Sequence, residues 1–174
     1  MHAGFCLFRA IGYLASIAGV VAAFGTAAQC EDQSAATPKD TIKDEIFARK
    51  ILMDTIDDHM DEIDWMLTSG KPIDLPKTVE HADTISVMLL TFPHLFPPGT
   101  NQWQPGAKRD PARDTFAAPD LWVNYADFYR QAAAASRLAY TASRTKHEAE
   151  FRGTMAALRT ACDSCHALYV KTDK

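Results

Sequence analysis

Apolar side chains recur at alternating steps of four and three residues in four separate blocks of this chain, the period of one stripe along a packed α-helix. The first stripe is Ile42, Ile46, Arg49, Met53, Ile56, Met60, Ile63 and Leu67, which predicts a long helix beginning near Lys39. Gly70 and Pro72 end it, one by tolerating a left-handed backbone and the other by lacking an N–H. A second stripe of Leu75, Val79, Ala82, Ser86 and Leu89, widened by Ile85, Met88 and Phe92, predicts a helix over about residues 76–92. Pro119 suits a helical first turn, and Leu121, Tyr125, Phe128, Ala132, Ala135, Ala139 and Ala142 carry the rhythm through a third helix. The fourth follows from about Lys146, with Phe151, Met155, Leu158, Cys162, Cys165 and Tyr169 in register. No block shows the strict alternation of a half-buried strand. The fold class is all-α, an antiparallel four-helix bundle.

Between the second and third helices lies a long connection, residues 93–118, with five Pro and two Gly. A loop of that length without a periodic pattern must cover part of the bundle or cross it. Its composition forbids a regular element of any size.

The N-terminus changes the compartment. Arg9 precedes an apolar run over residues 11–24, and Thr26-Ala27-Ala28 follows with small residues where a signal peptidase reads. Residues 1–28 read as a cleaved signal peptide, 29–38 as a polar flexible leader, and 39–174 as the bundle domain. The apolar run is short for a bilayer span, which takes about 20 residues. The expected product is therefore periplasmic, with no stable membrane insertion after cleavage; a retained N-terminal anchor is the alternative. Gln29 stands where a lipoprotein signal would place a small residue, which argues against lipid attachment at Cys30. A net charge of −4 gives no basic footprint for phosphates, so nucleic acid is set aside as a partner.

Four cysteines in an exported chain ordinarily suggest disulfides. Here Cys6 leaves with the signal, Cys30 stands alone in the leader, and Cys162 and Cys165 are close neighbours followed directly by His166. Cys162-Asp163-Ser164-Cys165-His166 is the attachment signature of a c-type haem. Two thiols three positions apart on a helix reach two vinyl groups on one side of a porphyrin, and the next imidazole faces the iron as proximal ligand. A thioredoxin-like dithiol wants a βαβ context that this helical pattern lacks. Structural zinc needs four ligands, and the remaining histidines His59, His81, His94 and His147 form no second pair with useful spacing. A disulfide across so short a loop would strain the helix for little entropic gain.

Several motifs together resemble class II cytochromes c, the group containing cytochrome c prime and its low-spin, methionine-ligated relatives. They are Cys162-Asp163-Ser164-Cys165-His166 close to the C-terminus, Arg49 followed four residues later by Met53, Leu95-Phe96-Pro97 after the second helix, and Pro119-Asp120-Leu121-Trp122 opening the third. The similarity spans about residues 41–171. It implies one covalent haem c, with thioethers to Cys162 and Cys165, His166 on the iron, Arg49 at a haem propionate and Trp122 in the haem pocket. One departure is Val170, which stands where relatives carry a basic residue next to the aromatic Tyr169.

Arg49 lies in an apolar seam, where an uncompensated guanidinium is costly, so it requires a partner unless it snorkels to solvent. Met53, one turn further on the same face, reaches the distal side in this resemblance. If its thioether is the second axial ligand, the iron is six-coordinate and low-spin, and the protein is a one-electron carrier working with redox partner proteins. That is the principal expectation. If Met53 only packs, the haem is five-coordinate and high-spin and admits NO or CO, as in the cytochrome c prime type. Neither reading includes catalytic residues, and no enzyme activity is expected. Members of this group often dimerise through their first two helices, so a homodimer is possible here. The acidic run Asp57, Asp58, Asp61, Glu62 and Asp64 is either a solvated helix face or a docking patch for a basic partner.

Overall fold

The computed structural model describes residues 38–104, 106 and 116–171, so the expected signal peptide, the leader and Cys30 lie outside the described residues. The first stripe becomes α1, Pro38–Thr68. The residues of the stripe are buried or half-buried throughout, with Ile63 fully enclosed and Met60 in the core alongside Met66, while Phe47, Ile51 and Trp65 off the stripe are exposed. The helix stops at Gly70, whose φ of 70° lies in the left-handed region where a side chain would be strained. α2, Leu75–Thr91, starts under the side chain of Asp74, which accepts from the Lys77 N–H at 3.2 Å, with Pro76 in the first turn.

The third helix differs from the sequence expectation. It is split at Asn124 (φ −108°, ψ 33°) into one turn, α3, Asp120–Val123, and a long α4, Tyr125–Ser143. Asparagine's short amide competes with the backbone and disfavours helix interiors. The stripe survives the break because Asp127 and Phe128 both donate their N–H groups to the Asn124 carbonyl, at 2.9 and 3.1 Å, which keeps Leu121, Tyr125 and Phe128 on one side. α5, Glu148–Tyr169, closes the bundle.

α1, α2, α4 and α5 are the four bundle helices, with α2 packed on α4, α4 on α5 and α1 on α2. The alanines of α4 have a structural use. Ala135, Ala139 and Ala142 are buried, and their small side chains let α2 come close enough for the Ser136 hydroxyl to donate to the Ser86 carbonyl at 2.8 Å. Arg152 donates to the Leu67 carbonyl and Arg159 pairs with Asp64, tying α5 to α1. In the acidic run, Asp57, Asp58, Asp61 and Glu62 are exposed.

Two cores result. The larger joins Ile56, Met60 and Ile63 of α1 to Ile85 and Leu89 of α2, the alanines of α4, and Phe151, Met155 and Leu158 of α5. The second, at the other end, is aromatic: Phe92, Phe96, Leu121, Phe128 and Tyr169. The stretch that follows α2 supplies two of these five, Phe92 and Phe96. It begins with two 3-10 turns, Phe92–Leu95 and Pro98–Thr100, and buries Phe92, Pro93, Phe96 and Thr100. Its far end pairs with the end of α5, where Ala118 donates to the Tyr169 carbonyl at 2.8 Å and Lys171 to that of Phe116 at 2.7 Å. The loop thus covers the bundle, as its length required.

Candidate functional site

The aromatic core gathers most of the candidate residues. Met53 from α1, Trp122 from α3 and Cys165 from α5 all pack half-buried against it, while Cys162, one turn earlier on α5, packs against the larger core. The two sulfurs therefore straddle the junction between the cores. This follows from helical spacing, since positions three apart share a face and lie about one turn apart along the axis. His166, the next residue along, is exposed, and its carbonyl accepts the Val170 N–H at 3.0 Å as α5 ends.

Cys162 and Cys165 are not joined in a disulfide. Burial pushes the Cys162 thiol up, and pushes that of Cys165 up to about 11. Reactive dithiols are the opposite case, with thiol pKa values lowered by nearby positive charge or a helix N-terminus, so this pair lacks the activation a thioredoxin-like site uses. Among the described residues no group of three or more His, Cys, Asp or Glu side chains is arranged to hold a metal ion. What the pair offers is two neutral, half-buried sulfurs, Cys165 beside the aromatic core and Cys162 beside the larger one, suited to covalent attachment of a flat apolar group.

Arg49 is only 2% exposed, so it does not snorkel. Its guanidinium lies 4.6 Å from the Phe96 ring centroid and 5.5 Å from that of Trp122. Nη1 donates to the Thr100 hydroxyl at 3.0 Å and Nη2 to the Thr100 carbonyl at 3.2 Å. Burial lowers its pKa to about 10, opposed by the charge of Glu45 one turn earlier, so it stays cationic at neutral pH. Thr100 is fully buried, and its own hydroxyl donates to the Pro97 carbonyl at 2.8 Å. Trp122 Nε1 donates to that same carbonyl at 3.2 Å, and the Tyr125 hydroxyl donates to the Pro93 carbonyl at 2.9 Å. Each of these bonds fixes the connecting loop over the aromatic core.

On the α5 side, Asp127 accepts from the Tyr169 hydroxyl at 2.6 Å, from Gln131 Nε2 at 2.7 Å and from Arg130. Hydrogen bonds from Tyr169, Arg130 and Gln131 hold its carboxyl down at about 2, and burial with that carboxylate raises Tyr169 to about 12. Asp127 thereby places a fixed negative charge near Cys165.

Sequence reasoning missed Thr100, Asp127 and one histidine pair. Thr100 has no periodic signal, because it sits in the loop. Asp127 was legible only as a carboxylate three and four residues before Arg130 and Gln131. The histidines correct an expectation: His59 of α1 and His81 of α2, without useful spacing in the sequence, face each other with Nδ1 atoms 2.6 Å apart.

Comparison with known proteins adds the following. The sequence profile of the cytochrome c′ family matches residues 44–169. No curated protein sequence matches closely enough to name a relative. Among solved structures, cytochrome c′ from Rhodopseudomonas palustris is 23% identical, with a TM-score of 0.65 over 75% of this chain and 98% of its own. Cytochrome c prime from Shewanella frigidimarina is 21% identical, with a TM-score of 0.64 over 75% and 97%. A cytochrome c prime variant from Alcaligenes xylosoxidans, solved as a nitric oxide complex, is 16% identical, with a TM-score of 0.63 over 75% and 97%. At these identities the structures establish a shared fold.

Proposed function

The chain belongs to the cytochrome c′ family, whose members carry a covalently attached haem c, and from that premise we propose a five-coordinate, high-spin haem protein that binds small gases such as NO and CO. This reverses the order of the two readings drawn from the sequence, in which a low-spin His166/Met53 electron carrier came first. The single observation behind the reversal is the family match over residues 44–169. The nitric oxide complex of the Alcaligenes xylosoxidans protein, a structural neighbour, points the same way.

The residues fit the group. Cys162 and Cys165 are neutral thiols on one stripe of α5 at the junction of the two cores, and they would form the two thioethers. His166, next to Cys165 and on the exposed side, would supply the proximal imidazole. Arg49, cationic within its aromatic box, would meet a propionate, and Trp122 would line the pocket. When bound, the haem supplies an iron with one position open to a diatomic ligand. Met53 acts in this reading by packing, its flexible thioether filling space against the aromatic core. The role is binding, with no group on the chain assigned to catalysis.

The His166/Met53 electron carrier, with redox partner proteins, is kept as the second reading because Met53 and Cys165 pack against one aromatic core. Export to the periplasm belongs to the proposal, resting on the N-terminal signal pattern. Among the described residues no helix is long and apolar enough to cross a membrane. A homodimer is supported by the exposed apolar residues of the first two helices, Phe47, Ile51, Val87 and Leu90.

The test is the absorption spectrum of the ferrous protein, purified from a host that matures c-type cytochromes. Covalent attachment is expected to hold the haem with the chain through acid-acetone extraction. A high-spin spectrum that converts fully on adding CO supports the proposal. A low-spin spectrum indifferent to CO overturns it in favour of Met53 ligation.

A further inference from the structure

His59 and His81 are brought together by the packing of α1 against α2, from positions 22 residues apart, at the end of the bundle away from the aromatic core. Their rings meet edge to face, with centroids 4.9 Å apart and planes inclined by 61°. Both side chains are half-buried, so their outer edges remain open to solvent. The Nδ1 atoms point at one another across 2.6 Å, and the flexible carboxylates of Glu62, three residues beyond His59, and Glu80, beside His81, offset the charge of nearby Lys77. Nothing in the haem proposal uses this pair.

Two nitrogens can converge in this way around a shared proton or around a shared cation. An ion held by two imidazoles at about 2.0–2.1 Å in tetrahedral geometry sets its nitrogens roughly 3.3 Å apart. The two nitrogens and the two ring centres lie nearly on one line, 2.6 Å and 4.9 Å apart. To aim both lone pairs at one tetrahedral ion, each ring must therefore swing by roughly 35° while the nitrogens part by less than about an ångström, a motion open to half-exposed side chains. Imidazole nitrogens suit Zn²⁺, Cu²⁺ and Ni²⁺, with carboxylate or water completing the shell.

We propose that His59 and His81 form a binding site for one divalent transition-metal ion, bridging α1 and α2 and separate from the haem. Such an ion clamps two helices that otherwise meet through apolar side chains. Binding the folded chain alone, it raises stability by mass action.

Zn²⁺ is the probe, because it is redox-inert and leaves the haem oxidation state alone. Isothermal titration of the chelator-treated haem protein is expected to show one Zn²⁺ per chain at micromolar affinity, with a rise in the thermal midpoint. His59→Ala and His81→Ala should each weaken binding at least about tenfold, since either leaves one imidazole. Each variant is first matched to the wild type in far-ultraviolet circular dichroism and Soret absorbance. A second measurement needs no variant: Zn²⁺ should protect the peptides bearing His59 and His81 from diethyl pyrocarbonate, read by mass spectrometry. The proposal is overturned by absence of Zn²⁺ uptake, which leaves a proton-sharing pair. It is equally overturned by uptake of unchanged affinity in both variants, or by modification of both histidines that Zn²⁺ does not slow.

Discussion

The guanidinium of Arg49 grips both oxygens of Thr100, its Nη1 on the hydroxyl at 3.0 Å and its Nη2 on the carbonyl at 3.2 Å, across a separation of 51 residues. Helix α1 and the connecting loop are locked at this point, and both residues are buried. Thr100→Val keeps the side-chain shape and removes the acceptor, leaving a buried charged donor short of one bond. The expected loss is about 1–3 kcal/mol, read as a drop in urea midpoint. Arg49→Lys should cost a similar amount, because an ammonium cannot serve both oxygens while stacking on Phe96 and Trp122.

The two cores make separable predictions. Phe128 touches Phe92, Phe96, Tyr125 and Tyr169 within the aromatic core, and Phe151 lies fully buried in the larger one. Phe128→Ala and Phe151→Ala should each cost about 3–5 kcal/mol. The first should shift the Soret band more, since Phe128 shares a core with Cys165 and Met53, whereas Phe151 lies about three helical turns before Cys162 on α5. Thermal unfolding followed in parallel by circular dichroism and visible absorbance separates the two effects.

The helices were legible because burial repeats with the helical period. Ile46, Arg49, Ile56, Met60 and Ile63 share one stripe in the sequence and are buried on α1. The same holds on α5, where Phe151, Met155, Leu158 and Tyr169 are buried with Cys162 and Cys165 half-buried beside them. The partner of Arg49 was not legible, because Thr100 sits in an aperiodic loop whose path is set by tertiary bonds from Trp122 and Tyr125. Asn124 offered only a weak local preference against helix, and the apolar rhythm on either side concealed the break. His59 and His81 each occupy half-buried positions on different helices, and only the packing of α1 on α2 makes them a pair.

Acid and alkali should act on the Asp127–Tyr169 bond in opposite directions. Asp127 is held at about 2 in the folded chain. An unfolded aspartate titrates near about 3.9. Its contribution is therefore present above that value and is lost as pH falls toward about 2. Tyr169 is raised from 10.0 to about 12, so its contribution is present below 10.0 and is lost as pH rises through about 12. Difference ultraviolet titration should show a last-ionising tyrosine that disappears in Tyr169→Phe, while Tyr125, also raised by burial, still ionises above its usual value. In Asp127→Asn that step should move only part of the way back to 10.0, because burial is the first cause of the shift and remains in the variant.

Met53 decides between the two haem readings with the least disturbance to the fold. Leucine has nearly the same volume as methionine, and such swaps usually cost less than about 1.5 kcal/mol, so Met53→Leu should leave the half-buried packing against the aromatic core close to intact. A branched hydrocarbon has no lone pair to offer a metal, whereas a thioether does. If Met53 serves only as filling, the ferrous spectrum of Met53→Leu should match the wild type in spin state, and CO should bind both. A wild type that is low-spin, turning high-spin on this substitution, would mean that the sulfur is a ligand. The measurement is paired ferrous spectra with and without CO, with a matched thermal midpoint establishing that the core has not rearranged.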